Sequence, residues 1–276
     1  MNNIYKKSAI SVGKIILAVV LMWSTYLIFV QEDKWGVYFG IGFLIIVTLP
    51  TIFVVYFKNS FLAKYPKFTK PWKFLRIIYI LILILLALGL IFGVYRVFQK
   101  QETQEAINFI NSKKITLDDV MGKNLPPVPD KVLNESTIAG IDMNNNYIRD
   151  DVELAIFEKY PNSAKIRAAE LQYAQALQLE LTKVFSSETL VAVMQKEDYG
   201  FLCIGKTGPD VSLNNTREEM VAGLSVVDNR KEEVEDLILN TDLRKKYQSD
   251  NLKKYMIGYA SLPGNECDID TLSLPN

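Results

Sequence analysis

Three long apolar stretches dominate the first hundred residues, at about 9–30, 35–57 and 75–97. Each is long enough to cross the roughly 30 Å hydrocarbon core of a bilayer as a helix. No small-x-small cleavage site follows the first stretch before the second begins, so it is interpreted as a retained span. The interiors of the second and third stretches contain no ionisable residue, which favours an anchor over a transport pathway. The pattern predicts a membrane protein with three transmembrane helices over residues 1–99.

The remainder of the chain is polar, and its apolar residues recur at steps of three and four, the period of an amphipathic helix. Residues 100–131 are interpreted as a stalk helix and a proline-rich linker, because three prolines interrupt the pattern near its end. Residues 132–276 are predicted to form an all-α domain of roughly five helices. The expected helices are Asp150–Tyr160, a long segment capped by Ser163 and ending near Phe185, 187–196, Thr216–Leu239 and Thr241–Ile257.

Charge divides the chain in the same way. The 31 basic and 31 acidic residues cancel overall, but residues 1–99 carry 11 Lys or Arg against 2 Asp or Glu, and residues 100–276 carry 20 against 29. Lysines at the N-terminus and between the second and third spans predict that these segments are cytoplasmic. We therefore expect a multi-pass protein of the bacterial inner membrane, embedded in the lipid bilayer, whose C-terminal domain is periplasmic.

Composition excludes several classes of function. The chain contains no histidine, which excludes His-based catalytic triads and His–Zn sites. The acidic back half argues against nucleic acid as a partner. The segment Gly200–Thr207 matches the P-loop pattern, but Gly208 and Pro209 follow where the phosphate-binding helix should begin. A turn between helices is therefore expected there, and nucleotide binding is not.

The two cysteines, Cys203 and Cys267, both lie in the half of the chain that is predicted to be outside the cytoplasm. An even number of cysteines in an oxidising compartment favours a disulfide. Such a bond would close a loop of about 65 residues and stabilise the domain by roughly 4 kcal/mol in the chain-entropy account. The alternative is two separate buried thiols.

The segment GIDMNNNYIRDDVE, Gly140–Glu153, has the oxygen spacing of a calcium loop. If Asp142 is position one of twelve, side-chain oxygens fall where such loops place their ligands, and a backbone carbonyl falls at position seven. Position six is Tyr147, where glycine is usual, and a positive φ at a bulky residue costs on the order of 1 kcal/mol or more. The alternative is an asparagine-rich turn that caps the next helix. The expected ligands are the side chains of Asp142, Asn144, Asn146, Asp150 and Glu153 and the carbonyl of Ile148.

This segment resembles the GIDxNxNGxRDDVE motif of a family of uncharacterised bacterial envelope proteins, often periplasmic or lipid-anchored. The later LNTDLRKKY, followed by a cysteine, is similar to the closing helix of that family. The resemblance covers about residues 132–270. It implies a helical, extracytoplasmic domain with one EF-hand-like calcium loop whose ligands are the residues just named, and it suggests no agreed activity.

The leading functional hypothesis is a membrane-anchored, non-enzymatic periplasmic interaction protein. Calcium would stabilise its helical domain, which would bind another envelope protein, for example as an immunity or adaptor protein. The rivals are an envelope hydrolase that uses paired carboxylates and an accessory subunit of a membrane complex. Acidic pairs such as Glu218 and Glu219 are interpreted as a solvated surface, whereas a carboxyl group of raised pKa in an acidic cleft would favour the hydrolase.

Overall fold

The computed structural model of the protein describes three quarters of the chain, which divides into two compact units, Met1–Arg96 and Val97–Asn276. The division falls close to the predicted boundary at residue 99. The first two predicted spans, at 9–30 and 35–57, lie outside the described residues. The described residues are 58–65, 69–211, 215–260 and 266–275.

The third predicted span lies within a long helix. Helix α1 covers Lys58–Lys64, and α2 extends over the 44 residues of Thr69–Ser112. Within α2, the segment Ile77–Ser112 is long and apolar enough to cross a membrane, with a mean hydropathy of 3.1 in its most apolar 18-residue window, of which 0% is buried. It is the one helix in the described ranges that meets this test, so the three-span anchor stays a prediction.

The second unit is helical, and the described residues contain no strand. The all-α prediction for this domain is therefore confirmed over those residues. Its helices after α2 are α3 (Leu117–Val120), α4 (Lys131–Glu135), α5 (Asp150–Lys159), α6 (Ala164–Lys183), α7 (Ser187–Lys206), α8 (Arg217–Ile238) and α9 (Asp242–Tyr255), followed by a 3-10 turn at Thr271–Ser273.

Side-chain caps explain where these helices begin. Ser163, the predicted cap of α6, accepts a hydrogen bond from the Ile166 N–H. Thr216 caps α8 in the same way and forms a reciprocal pair with Glu219, which satisfies two N–H groups that the first turn leaves without a helical partner. The predicted starts of α6 and α8 therefore agree with the structure because a hydroxyl residue precedes each of these helices.

Helix α7 is longer than predicted, since it continues past residue 196 to Lys206. The expected turn at Gly200–Thr207 was wrong, because Gly200 and Gly205 both lie inside the helix. A Cβ on Gly200 would lie 2.8 Å from the Tyr173 Cα. This glycine is thus a point of close approach between α7 and α6 rather than a helix breaker, and α7 ends only before the Gly208–Pro209 pair.

Helix α6 is the central element of the second unit. It packs against α5, α7, α8 and α9, and it is buried almost continuously from Arg167 to Leu181 on all its faces. One hydrophobic core lies where α5, α6, α7 and α8 meet, and the 113–131 segment contributes Ile115 and Val120 to it. The region 100–131, predicted as a stalk helix and a linker, therefore includes residues that pack into the core of the domain. A second core surrounds Ile110 of α2, with Leu179, Leu190 and Val193.

The predicted disulfide is confirmed. The sulfur atoms of Cys203 and Cys267 are 2.04 Å apart, and their Cα atoms are 5.0 Å apart. The bond joins α7 to the C-terminal segment 266–275. Gln172 of α6 holds the same segment, because its Nε2 donates to the Glu266 carbonyl at 2.8 Å and its Oε1 accepts from the Asp268 N–H at 2.8 Å.

Candidate metal centre

The predicted calcium loop lies between α4 and α5, and its last four residues form the first turn of α5. Gly140 precedes the loop with a φ of +67°, a region that glycine enters freely. A Cβ at this position would lie 2.2 Å from the Arg149 Cδ and 2.7 Å from the Asn134 Oδ1. Glycine is thus required here both by backbone conformation and by the arginine that packs against it.

Arg149, at position eight of the loop, is fully buried and fixes the loop to the end of α8. Its Nη1 donates to the Ile238 carbonyl at 3.0 Å and its Nη2 donates to the Leu237 carbonyl at 2.5 Å. These carbonyls belong to the last turn of a helix, where they lack intrahelical donors and attract positive charge. Arg149 also forms an ion pair with Asp151, with Nε 2.5 Å from Oδ1. Calcium loops usually have an aliphatic residue at position eight. Here Arg149 takes that position and donates hydrogen bonds to the free carbonyls at the end of α8.

Tyr147 adopts the backbone conformation that position six requires. Its φ is +64°, and Asn145 is also left-handed with a φ of +59°. The Tyr147 N–H donates to Asp142 Oδ2 at 3.0 Å, and the Asn146 N–H donates to Asp142 Oδ1 at 3.2 Å. The loop therefore has the sharp turn around its first carboxylate that a calcium loop needs, although the residue at the turn is not glycine.

The other two carboxylates are buried inside the loop. Glu153 Oε2 accepts from Asn144 Nδ2 at 2.9 Å and from Asn146 Nδ2 at 3.0 Å. Asp150 Oδ1 accepts from the Met143 N–H at 2.9 Å. The second oxygen of each carboxyl group, Asp150 Oδ2 and Glu153 Oε1, is buried without a hydrogen-bond partner. Both side chains are fully buried, and an unpaired buried carboxylate oxygen is costly unless a proton or a cation compensates it.

Burial raises the pKa of all three loop carboxyl groups. For Glu153 the pKa rises to about 7, because loss of solvent outweighs the two amide hydrogen bonds that favour the ionised form. For Asp150, burial again dominates, and the negative charge of Asp142 adds to the rise in pKa. The pKa of Asp142 is raised by burial despite the N–H groups of Tyr147 and its neighbours. No neighbouring positive charge therefore offsets the burial of Asp142, Asp150 and Glu153, because Arg149 is paired with Asp151.

The described residues contain no group of three or more carboxylate, thiol or imidazole side chains arranged closely enough to hold a metal ion. Within the loop, the Nδ2 atoms of Asn144 and Asn146, which are not side chains of these kinds, are directed to Glu153. The donor set nevertheless fits calcium, which prefers six to eight hard oxygens. Rotation of an amide exchanges its nitrogen for its oxygen, so the same two residues supply either donors to Glu153 or ligands to a cation.

Two contacts that hold the loop have no signal in the sequence. Asn144 Nδ2 also donates to the Asn124 carbonyl at 2.9 Å, which connects the loop to the 122–128 segment. Gln175, on the buried face of α6, donates from Nε2 to the Asn146 carbonyl at 2.8 Å. Asn124 and Gln175 belong to no sequence motif, because only the tertiary packing brings them to the loop.

A second group of carboxylates, one buried and two half-buried, lies between α6, α7 and α8, and the sequence did not predict it. We call Glu180, Glu197 and Glu235 the helical acid cluster. Burial raises the pKa of Glu180 to about 7, and it also raises the pKa of Glu197 well above its ordinary value, with the negative charges of Glu180 and Glu235 as additional causes. Glu197 Oε1 is buried without a hydrogen-bond partner.

Side chains from several helices donate to this cluster. The Tyr173 hydroxyl and Lys231 Nζ each donate to Glu235 Oε1 at 2.6 Å. Gln248 of α9 donates from Nε2 to Glu180 Oε2 at 2.6 Å. The cluster is therefore built into helix packing. The acidic pair Glu218 and Glu219 is exposed on α8, where a solvated surface was expected.

Comparison with protein-family models, with curated proteins and with solved structures gave no match to the chain. The local geometry of the loop and of the helical acid cluster is therefore the basis for a functional proposal.

Proposed function

We propose that the protein is a membrane-anchored, non-enzymatic periplasmic interaction protein whose helical domain is stabilised by calcium. The cation binds in the loop Asp142–Glu153. The ligands are the side chains of Asp142, Asn144, Asn146, Asp150 and Glu153 together with the Ile148 carbonyl. A bound cation would supply a divalent positive charge to the buried carboxyl groups of Asp150 and Glu153 and to the half-buried one of Asp142, which favours their ionised forms and joins the loop to the first turn of α5.

One observation carries the calcium proposal. Asp150 Oδ2 and Glu153 Oε1 are both buried and unpartnered, and they belong to positions nine and twelve of the loop. In a helix-capping turn, which is the alternative interpretation, carboxylate oxygens would accept hydrogen bonds from the N–H groups of the first turn. Asp150 instead accepts from Met143, seven residues earlier in the chain.

Calorimetric titration of the full chain in detergent micelles with calcium chloride tests the site directly. We expect one binding site per chain, which Glu153→Gln removes because the amide has neither the charge nor the bidentate oxygens. Glu158→Gln is the matched control, since Glu158 is exposed on the same helix. Binding that survives Glu153→Gln, or no binding to the unaltered chain, would contradict the calcium site.

The interaction hypothesis has separate support in exposed apolar side chains of the loop and of the segment that precedes it in the sequence. The exposed fraction is 84% for Val128, 76% for Val132 and 63% for Met143. Such side chains are typical of surfaces that contact other proteins when they occur together. The proposed partner is another envelope protein. Genomic neighbours of the coding sequence are the first place to look for it.

Photo-crosslinking in intact cells tests this half of the proposal. A crosslinking amino acid at Val132 is expected to capture one discrete partner, which then binds the purified full chain. The same amino acid at Lys245, which is exposed and polar on α9, is the control. Equal capture at both positions, or no capture at Val132, would contradict an interaction surface beside the loop.

The rival hydrolase hypothesis gains one observation, the raised pKa values of Glu180 and Glu197. A carboxyl group that stays protonated near neutral pH is what a general acid needs, and a second, ionised carboxylate completes the pair. The full chain is therefore incubated with purified cell-wall glycan, and released reducing ends are measured. Release that is lost in Glu197→Gln but kept in Glu218→Gln would replace the interaction hypothesis with an enzymatic one.

A further inference from the structure

Tyr147 connects the candidate metal loop with the last turns of α2. Its ring meets the ring of Phe109 edge-on, with the two centroids 5.2 Å apart. Lys113 Nζ lies 4.3 Å from the Tyr147 centroid and 4.6 Å from the Phe109 centroid. Edge-on aromatic pairs and cations over ring faces both stabilise a contact beyond the apolar area that it buries. Tyr147, at position six of the loop, therefore contacts Phe109 of α2 and Lys113, the residue that follows the end of this helix.

The end of α2 is part of the domain core. Ile110 is fully buried in the second core, and Ile107 and Phe109 pack against that core from the same helix. Tyr147 packs against the same core, so its ring belongs to the surroundings of α2 as well as to the loop. A change in the position of this ring would change the packing of α2 at its C-terminal end.

The backbone of Tyr147 is fixed from the opposite direction by the loop carboxylate. Its N–H donates to Asp142 Oδ2, and Asp142 is position one of the proposed metal site. The φ of +64° is unfavourable for a tyrosine, so interactions elsewhere must hold the residue in this conformation. The contacts with Phe109 and Lys113 provide that compensation on the side-chain end. One residue thus responds to the metal ligand through its backbone and to α2 through its ring.

We propose that calcium binding to the loop and packing of the C-terminal end of α2 are coupled through Tyr147, so that each strengthens the other. This inference rests on the proposed calcium site. Coupling between two sites is reciprocal, so the packing of Phe109 raises the affinity for calcium by the same factor by which calcium strengthens that packing. Calcium therefore sets how firmly the domain holds the C-terminal end of α2. The same helix contains the segment that is apolar enough to span a membrane.

Calcium affinity measured by calorimetry on the full chain in detergent provides the first test. Phe109→Ala is expected to weaken calcium binding roughly three- to tenfold, the range an aromatic pair accounts for, although Phe109 is not a ligand. Phe98→Ala is the matched control, because Phe98 lies on the same helix with 66% of its surface exposed. If Phe109→Ala unfolds the C-terminal end of α2, Phe109→Leu replaces it in the test, because leucine keeps an apolar side chain against the second core.

A double-mutant cycle then assigns the coupling to Tyr147. In a Tyr147→Gly background, which removes the ring and relieves the strained φ, Phe109→Ala is expected to leave the dissociation constant for calcium unchanged within twofold. Hydrogen exchange gives the reverse direction. Calcium is expected to slow exchange of the amides at 106–113 severalfold in the unaltered chain and not in Tyr147→Gly.

The outcomes separate this inference from the proposed site. If the unaltered chain does not bind calcium, the proposed site and the coupling are both wrong. If it binds calcium and Phe109→Ala changes the affinity less than twofold, the site stands and the coupling is wrong. If Phe109→Ala weakens binding equally with Tyr147 and with glycine at that position, the effect does not pass through this ring, and the inference is overturned.

Discussion

Carboxyl groups at two places in the domain, the loop Asp142–Glu153 and the helical acid cluster, have partners that differ in kind. In the loop Asp142–Glu153, the N–H donors to the carboxylates come largely from within the same short segment. In the helical acid cluster, Tyr173, Lys231 and Gln248 donate from α6, α8 and α9. The loop can exchange its internal donors for a cation without moving a helix, whereas the cluster cannot change its partners without repacking the domain.

The balance of charge separates the two places further. The loop sequence contains one basic residue, Arg149, which is engaged with Asp151 and the end of α8. Lys231 lies beside the helical acid cluster, with its Nζ 2.6 Å from Glu235 Oε1. Buried acids beside neutral donors require a cation or protons, and buried acids beside a lysine require fewer. The loop is therefore the better candidate for a metal site, and the cluster is the better candidate for a pH-sensitive contact.

The largest expected effect breaks the loop without altering a carboxylate. Gly140→Ala should lower the free energy of unfolding by about 3 kcal/mol or more, because the new Cβ meets Arg149 and the backbone keeps a positive φ. Gly205→Ala is the control on α7, the helix of Glu197, because nothing lies within 4 Å of its Cβ position. Alanine there should raise the free energy of unfolding by roughly 0.5 to 1 kcal/mol. Chemical denaturation of the full chain measures both, and similar effects at the two positions would be evidence against a rigid loop.

Calcium should distinguish the loop from the cluster by thermal unfolding. At a calcium concentration of about one hundred times the dissociation constant, the free energy of unfolding should rise by roughly 2.7 kcal/mol, which raises the melting temperature by roughly 5 to 10 °C. Glu153→Gln should abolish this shift relative to EDTA, and Glu197→Gln should keep it. A shift that disappears in Glu197→Gln instead would place the cation in the helical acid cluster.

The pH dependence of stability should identify the cluster. The raised pKa values of Glu180 and Glu197 mean that both groups are protonated in the folded domain at pH values where the unfolded chain is ionised. Their contribution to stability is complete below the ordinary glutamate pKa and is lost as the pH rises through the folded values, about 7 for Glu180. Between pH 5 and pH 8, the free energy of unfolding should fall less in Glu197→Gln than in the unaltered chain. Parallel curves for the two proteins, both measured in excess calcium, would contradict this assignment.

The smallest expected effect concerns the second left-handed residue of the loop. Asn145→Gly should change the free energy of unfolding by less than about 0.5 kcal/mol, since asparagine tolerates a positive φ and glycine prefers it only slightly. Asn145 is also not one of the proposed ligands, so the affinity for calcium should stay within twofold. A larger loss of affinity, measured by calorimetry, would mean that Asn145 takes part in the site.

The sequence predicted the turn of the loop because the residues that form it are close together in the chain, whereas calcium binding stays a prediction. Spacing alone brought Asp142, Asn146 and Glu153 into one segment, and the structure places them together. The role of Arg149 was not predictable, because its partners are the carbonyls of Leu237 and Ile238, almost ninety residues later. The apparent break at Gly200 was misinterpreted for the same reason, since the close approach of Tyr173 is a property of helix packing.

The helical acid cluster was missed because its members are far apart in the chain and appear on α6, α7 and α8 as ordinary polar positions of amphipathic helices. The periodicity predicted α6 as a helix with one apolar face, but the structure surrounds it on every side. Burial of Glu180 follows from this central position rather than from any motif. Pattern analysis identifies which residues form a helix, and it does not identify which of their polar groups lose contact with water.

The bond between Cys203 and Cys267 has a consequence for the order in which the protein is made. Cys267 leaves the ribosome after every residue of α5 to α9, so α7 cannot acquire its covalent partner until all the helices of the domain have been synthesised. A chain that stops before residue 266 would leave Cys203 as an unpaired thiol and Gln172 without the two backbone groups it binds. Closure of this bond therefore requires a chain that has been synthesised nearly to its last residue.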